Sequence, residues 1–486
     1  MKHSARLYTL LLAAALLASS CGGTGAADGT TAAPDGSAAE TTEELTGREA
    51  VKSTLPDNLD FKGAAFTVLQ RSADEYIGEF YAEEENGDIL NDIIFQRNRH
   101  VEERLKLNME VISIPGAGAD ADVFINTVRG EVMSGGTAYD MISFYAYKNP
   151  QLIQENMYLN LFNVDNIDLA QPWWHQMYIE CASVYGKLYA VTGDITLSSV
   201  SRRKAMFYNS TMGESYLKDV NLVELVDSGK WTMDTFGGLV KDVYQDLNGN
   251  AQKDTADLYG WYPQWYAHEN YVVGCGLTYT EKTEDGGYRL ALENDRNVKI
   301  IERFNQLASE PGVFLTKEYD NKVFIEGRCL FFPERIGFTD ELRDMEDDYA
   351  IIPLPKFDEA QENYYSSVGD AYSQVAIPVT AKDPAMSGAF LEAAAEYNYK
   401  KLTPAYFDIV LEGKYLRDPD SARMIDLVIA GAWYDFAVVN TSVLGNVAST
   451  INNTLTTGSF ASTVAAQKTN WETKLNDLLA HYKEAE

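Results

Sequence analysis

AFTVLQ (residues 65–70), NGDILNDIIFQRNRHVEERLKL (86–107), NMEVISI (108–114), DVFINTVRGEVM (122–133) and DMISFY (140–145) decide the fold class, because two hydrophobic periods alternate along them. The first, third and fifth segments are short, apolar and rich in β-branched residues, as buried strands are. The second places Ile89, Ile93, Ile94, Val101 and Leu105 on one face, with Arg97, Arg99, Glu102 and Glu103 elsewhere, which is the period of an amphipathic helix. The fourth repeats that period through Val123, Ile125, Val128 and Val132 and closes on Gly135-Gly136. A β-α-β-α-β rhythm predicts a parallel sheet with right-handed crossovers. In open sheets of that kind ligands bind beyond the carboxyl ends of the strands, where Phe144-Tyr145-Ala146-Tyr147 falls.

The texture continues downstream. Residues 187–191 (KLYAV), 205–208 (AMFY), 329–332 and 349–352 read as strands, and 234–244, 297–307, 421–432 and 469–482 as helices. With 486 residues the chain exceeds what one core serves, so two or more lobes are expected. Seventy-two acidic against forty basic residues give −32, a field that repels phosphate backbones and excludes nucleic acid as a partner.

The first twenty residues follow the order of a secretory signal: Lys2 and Arg6, an apolar run over 7–17, then Ala18-Ser19-Ser20 before Cys21. That junction resembles the lipobox of bacterial lipoproteins, which implies a lipid on the Cys21 thiol and cleavage just before it. Residues 22–47 hold almost no large apolar side chains and read as part of a flexible tether spanning 21–59. No later apolar run is long enough to span a bilayer, so the membrane is reached only through the lipid anchor. Cys181, Cys275 and Cys329 are widely spaced and odd in number, which suits buried thiols.

Six landmarks, in order, resemble the extracellular solute-binding proteins of carbohydrate ABC importers. They are Tyr139-Asp140-Met141-Ile142, Tyr185-Gly186-Lys187-Leu188-Tyr189-Ala190-Val191, Met206-Phe207-Tyr208-Asn209, Trp231-Thr232-Met233-Asp234-Thr235-Phe236, Phe324-Ile325-Glu326-Gly327-Arg328 and Ile352-Pro353-Leu354-Pro355. The resemblance implies a two-lobed α/β fold of the periplasmic-binding-protein type (type II). Its discontinuous lobes would be joined by crossover strands, with 60–195 plus 353–400 as lobe one and 196–352 plus 401–486 as lobe two. It also implies a small-molecule solute, a sugar or oligosaccharide, held between the lobes. The chain would be a monomer on the extracellular face of the bacterial cytoplasmic membrane, delivering to an ABC transporter permease.

Sugars present apolar C–H faces ringed by hydroxyls, so aromatic rings beside polar groups suit them. Candidate ligand-binding residues are Tyr145, Tyr147, Trp173, Trp174, Trp261, Trp265, Tyr266 and Trp433, with Asp194, Asp370, Tyr372 and Asp435 as polar partners. Separately, Asp246, Asn248, Asn250, Gln252, Asp254 and Asp257 sit at positions 1, 3, 5, 7, 9 and 12 of a twelve-residue loop. That spacing resembles EF-hand and dockerin loops and predicts a structural calcium, although Ala251 stands at the usual Gly position and Asp257 where Glu is commoner. The chain lacks G-x-S-x-G, H-E-x-x-H and P-loop motifs, and runs such as Glu83-Glu84-Glu85 or Asp347-Asp348 suit a solvated surface. No catalysis and no catalytic cofactor are therefore expected. A lipid-anchored glycan-active enzyme and a ligand-presenting co-receptor for a membrane sensor are the alternatives.

Overall fold

The computed structural model describes residues 47–73, 76, 78–264, 267–411 and 419–484. The opening unit forms as its pattern dictates: β1 (Ala64–Arg71), the helix Ile89–Leu105, β2 (Leu107–Ile114), the helix Ala121–Met133 and β3 (Met141–Tyr145). β1 pairs in parallel with β2 along its whole length and with β3 through Val68 and Leu69. The first helix starts where Asp88 accepts from the Asn91 amide and stops at Lys106, whose left-handed backbone (φ 54°) turns the chain into β2.

One face of that helix departs from the sequence pattern. Ile89 is exposed at the first turn, and Arg97, expected outside, is fully buried. Arg97 is tolerated inside because Asn98 Oδ1 accepts from its Nε and Nη2 at 3.1 and 2.8 Å, Asn398 from its Nη1 at 3.4 Å, and the Phe80 ring lies 5.2 Å away.

The remaining strands are β4 (Lys204–Asn209), β5 (Tyr244–Gln245), β6 (Leu258–Trp261), β7 (Thr280–Lys282), β8 (Tyr288–Leu290), β9 (Cys329–Arg335), β10 (Tyr349–Ile352), β11 (Ser366–Ser367), β12 (Ser373–Ala376) and β13 (Ala432–Trp433). They build two main sheets, ordered β12-β3-β1-β2 and β10-β4-β9-β6-β5. The second is mixed: β6 and β9 are parallel, while β4 is antiparallel to both neighbours. β12 returns from far along the chain to pair antiparallel with β3, setting Ser373 opposite Tyr145. Residues 187–191 make no strand; Val191 joins Val375 of the edge strand β12 through an isolated antiparallel bridge.

Helices cover both sheets. Pro384–Tyr397, started by Asp383 with Pro384 in its first turn, packs on Ile89–Leu105, and Phe390 stacks on Phe66 of β1 at 4.2 Å. The helix Pro419–Ala430 packs on β10. The last helix, Phe460–Glu484, runs beside β8 and also reaches the first sheet's side, where its Tyr482 ring lies 5.5 Å from Tyr189. Among the described residues no helix is long and apolar enough to cross a membrane. Cys181, Cys275 and Cys329 are buried free thiols.

Candidate functional site

Strand ends from both sheets converge on a cavity of about 540 Å³. The first sheet supplies Tyr145 at the end of β3, Ala146 and Tyr147 beyond it, and the segment 367–372 that leads into β12. Two backbone bonds knit these pieces together: Ala146 N–H to the Tyr372 carbonyl at 3.0 Å, and Tyr147 N–H to the Asp370 carbonyl at 3.2 Å. The second sheet supplies Arg202 and Lys204 at the start of β4, and Glu334 and Arg335 at the end of β9. Lys204 and Arg335 face each other in the β4–β9 register, so antiparallel pairing alone sets their charges side by side. Gln264, Val273 and Tyr319 extend this wall, and Trp433, Tyr434, Val438, Val439, Thr441, Ala448, Ser449, Asn452 and Asn453 close the third side.

The electrostatics are those of a desolvated site with internal pairing. Lys204 Nζ lies 2.7 Å from Glu334 Oε1. Burial alone would raise the Glu334 pKa, but Lys204 and the Arg335 N–H outweigh it and hold the carboxyl below its ordinary range. Burial raises the Asp370 pKa, opposed by Arg202 and Lys204 across the cavity. Burial, with Asp370 nearby, likewise pushes the Tyr145 hydroxyl up, so it stays protonated and able to donate. Arg71 sits beneath this floor, its guanidinium 3.5 Å from the Tyr76 ring and 5.3 Å from the Tyr145 ring, bonded to Ser373 Oγ at 2.6 Å. Flat rings with charged and amide groups between them can cover an apolar face and satisfy hydroxyls at its rim.

Of the residues expected from sequence, the cavity brings together Tyr145, Tyr147, Asp370, Tyr372 and Trp433. Trp173 and Trp174 lie in the core instead, both indoles donating to Glu392 Oε2 at 3.3 Å. Trp261 is also a core residue: it belongs to β6, is wholly buried, and packs on Tyr271 at 4.8 Å and Phe236 at 5.2 Å. Asp194 is buried against Thr403, with Arg48 at 3.8 Å. Asp435 is consumed structurally, accepting from the amides of Tyr279, Thr280 and Ala437 and from the Thr280 hydroxyl. In each case a neighbouring donor or ring already occupies the group. Trp265 and Tyr266 lie outside the described residues, as does Cys21.

Sequence reasoning passed over Arg202, Lys204, Gln264, Tyr319, Glu334, Arg335, Asn452 and Asn453. A signal existed for some: Arg202-Arg203-Lys204 directly precedes a strand in a strongly acidic chain, and Glu334-Arg335 ends one. Asn452 and Asn453 sit in a helix with nothing local to mark them.

Among the described residues, no group of three or more His, Cys, Asp or Glu is arranged to hold a metal ion. The 246–257 loop closes through its own hydrogen bonds. Asp246 accepts from the amides of Gly249 and Ala251, Asp254 from the side-chain amides of Asn248 and Asn250, and Asp257 from Leu247 N–H and the Tyr244 hydroxyl. Gln252 takes part through its backbone, donating to Asn250 Oδ1 at 2.7 Å. Ala251 holds a left-handed backbone (φ 60°), the conformation for which Gly is usual there.

No family model matches the chain, and no curated protein sequence matches it. Solved structures do. A cyclo/maltodextrin-binding protein, complexed with maltotetraose, superposes with a TM-score of 0.52 at 12% identity, covering 87% of this chain and 97% of that one. The galacto-N-biose-/lacto-N-biose I-binding protein of the ABC transporter from Bifidobacterium longum, in complex with lacto-N-biose, gives 0.52 at 13% identity, covering 87% and 98%. The chain thus has the two-lobed α/β, periplasmic-binding-protein-like fold of these proteins.

Proposed function

We propose that this protein is the exported, lipid-anchored solute receptor of an ABC importer, and that it captures a sugar or oligosaccharide in the cavity between the two sheets. The observation that supports this most is the cavity's make-up. Tyr145, Tyr147 and Tyr372 come from one sheet's strand ends, Lys204 and Glu334 from the other's, and Trp433 from a third segment. A solute touching all three gains affinity only when they are held together, so binding energy can favour the closed arrangement that a permease would recognise. No chemical step is assigned: the carboxylates of the cavity are engaged in holding Lys204 and offsetting Arg202. The reading extends to a diacylglyceryl anchor on Cys21 and a structural calcium in the 246–257 loop, which the oxygen spacing supports. Thermal shift against mono- and oligosaccharides tests the central claim, since a ligand at 100 times its Kd stabilises by about 2.7 kcal/mol. A rise in melting temperature with saccharide is expected; none with any saccharide refutes the reading.

A further inference from the structure

His175 joins three distant segments beside the cavity. It follows the buried Trp173-Trp174 pair, and its ring contacts Arg203 at the head of β4 and Tyr434 just after β13. Arg203 is buried and donates to the Ile429 carbonyl, to the Ser199 carbonyl at 3.3 Å, and to His175 Nε2. A guanidinium carries donors only and keeps its charge in proteins. His175 Nε2 is therefore the acceptor of that pair, and the single proton of the neutral ring resides on Nδ1. Nδ1 lies 2.8 Å from Tyr434 Oη, so it donates and the tyrosine oxygen accepts. Among the described residues this is the only hydrogen-bond partner of the Tyr434 hydroxyl. Its own proton cannot go back to His175, and the ring lines the cavity.

We propose that the Arg203–His175–Tyr434 relay makes Tyr434 a hydrogen-bond donor into the cavity, so the ligand atom that meets it is an acceptor. For a saccharide that atom is a ring, glycosidic or hydroxyl oxygen. The nature of the ligand rests on the proposed carbohydrate capture, whereas the polarity of the relay does not. Without Arg203 the imidazole could adopt either tautomer and Tyr434 could turn its proton inward, so Arg203 and His175 are positioning residues and Tyr434 is the contacting one. Burial, reinforced by the Arg203 charge, drives the His175 pKa well below its ordinary value, which keeps the ring neutral as the relay requires.

Long-range ¹H–¹⁵N correlation on the full chain carrying ¹⁵N-labelled histidine at pH 7 reads the tautomer directly. The His175 signal, assigned by its loss in His175→Gln, is expected to show the Nδ1–H pattern. An Nε2–H pattern or a doubly protonated ring overturns the relay. Calorimetry of wild type and Tyr434→Phe with lacto-N-biose and with maltotetraose reads the donor. About tenfold weaker binding of Tyr434→Phe is expected from the hydrogen bond lost to the ligand, alongside a lower melting temperature because the His175 Nδ1 proton loses its acceptor. Equal affinity overturns the donor role. If neither saccharide binds wild type, the carbohydrate reading is what those two probes weaken, and the tautomer measurement still decides the relay.

Discussion

The Tyr147 hydroxyl donates to Asn446 Oδ1 at 2.8 Å and thereby ties the chain beyond β3 to the start of the helix Val447–Thr457, both of which line the cavity. Both partners are accessible to water, so the bond adds little to global stability, on the order of 1 kcal/mol or less. Under the proposed capture reading, its effect falls on retention of the solute instead. Tyr147→Phe is expected to melt within a degree or two of wild type yet release a bound saccharide several-fold faster, as stopped-flow displacement would show. An unchanged dissociation rate would separate this bond from closure.

The two core carboxylates Glu392 and Glu396 predict opposite pH responses. Burial raises Glu392 to about 7, against the pull of the Asp168 amide and the Trp173 and Trp174 indoles. The folded state then holds a proton that the unfolded state gives up, so its contribution is complete below about 4.5 and lost as pH rises through 7. That loss amounts to about 3 kcal/mol as an order of magnitude. Melting of wild type is expected to fall between pH 5 and pH 8, and Glu392→Gln to flatten that slope. Burial would raise Glu396 too, but Lys400 and Arg104, each at 2.8 Å, together with Ser53, hold it at about 2. Its contribution is present above about 4.5 and lost as pH falls through 2, so Glu396→Gln should weaken the protein at pH 7 and converge on wild type in strong acid.

Calcium in the 246–257 loop would replace the internal bonds that now satisfy Asp246, Asp254 and the Asn248 and Asn250 amides. Turned over, either amide offers its oxygen to the ion. Chelator is expected to lower the melting temperature of wild type and to leave Asp246→Ala unmoved. Identical responses in the two proteins would leave the loop as an Asx-rich turn.

The fold was legible because its opening unit switches cleanly between two hydrophobic periods, and because capping residues such as Asp88 and Asp383 mark where helices begin. The site was only half legible. Tyr145 and Tyr147 could be placed because strand-end geometry puts them at and just beyond the end of β3, and Asp370 and Tyr372 because the chain must return there. Trp261 misled because a tryptophan beside a tyrosine has the same composition in a core as in a cleft; only the β6–β9 pairing, invisible locally, turns it inward. Lys204 and Arg335 lie 131 residues apart and meet through register, which no window of sequence contains.

That contrast between the two tryptophans is itself measurable. Trp433 lines the cavity from β13 and is partly exposed there, while Trp261 is wholly buried among Phe236, Tyr271 and Phe304. Trp433→Ala removes a stacking face, and a lost apolar contact of that size costs about 1–3 kcal/mol, or roughly ten- to a hundredfold in Kd. Global stability should fall less than in the Trp261 variant, because Trp433 is only partly buried and packs against the edge of the core. Trp261→Ala instead opens a cavity inside the second sheet's packing and should destabilise by about 3–5 kcal/mol. Denaturant unfolding together with saccharide calorimetry on both variants decides the matter. Weakened binding with the smaller loss of stability in the first, and the larger loss of stability in the second, is the expected pair. Trp433→Ala binding as tightly as wild type would move the ligand off this wall and toward Tyr145, Tyr147 and Tyr372 of the first sheet's side.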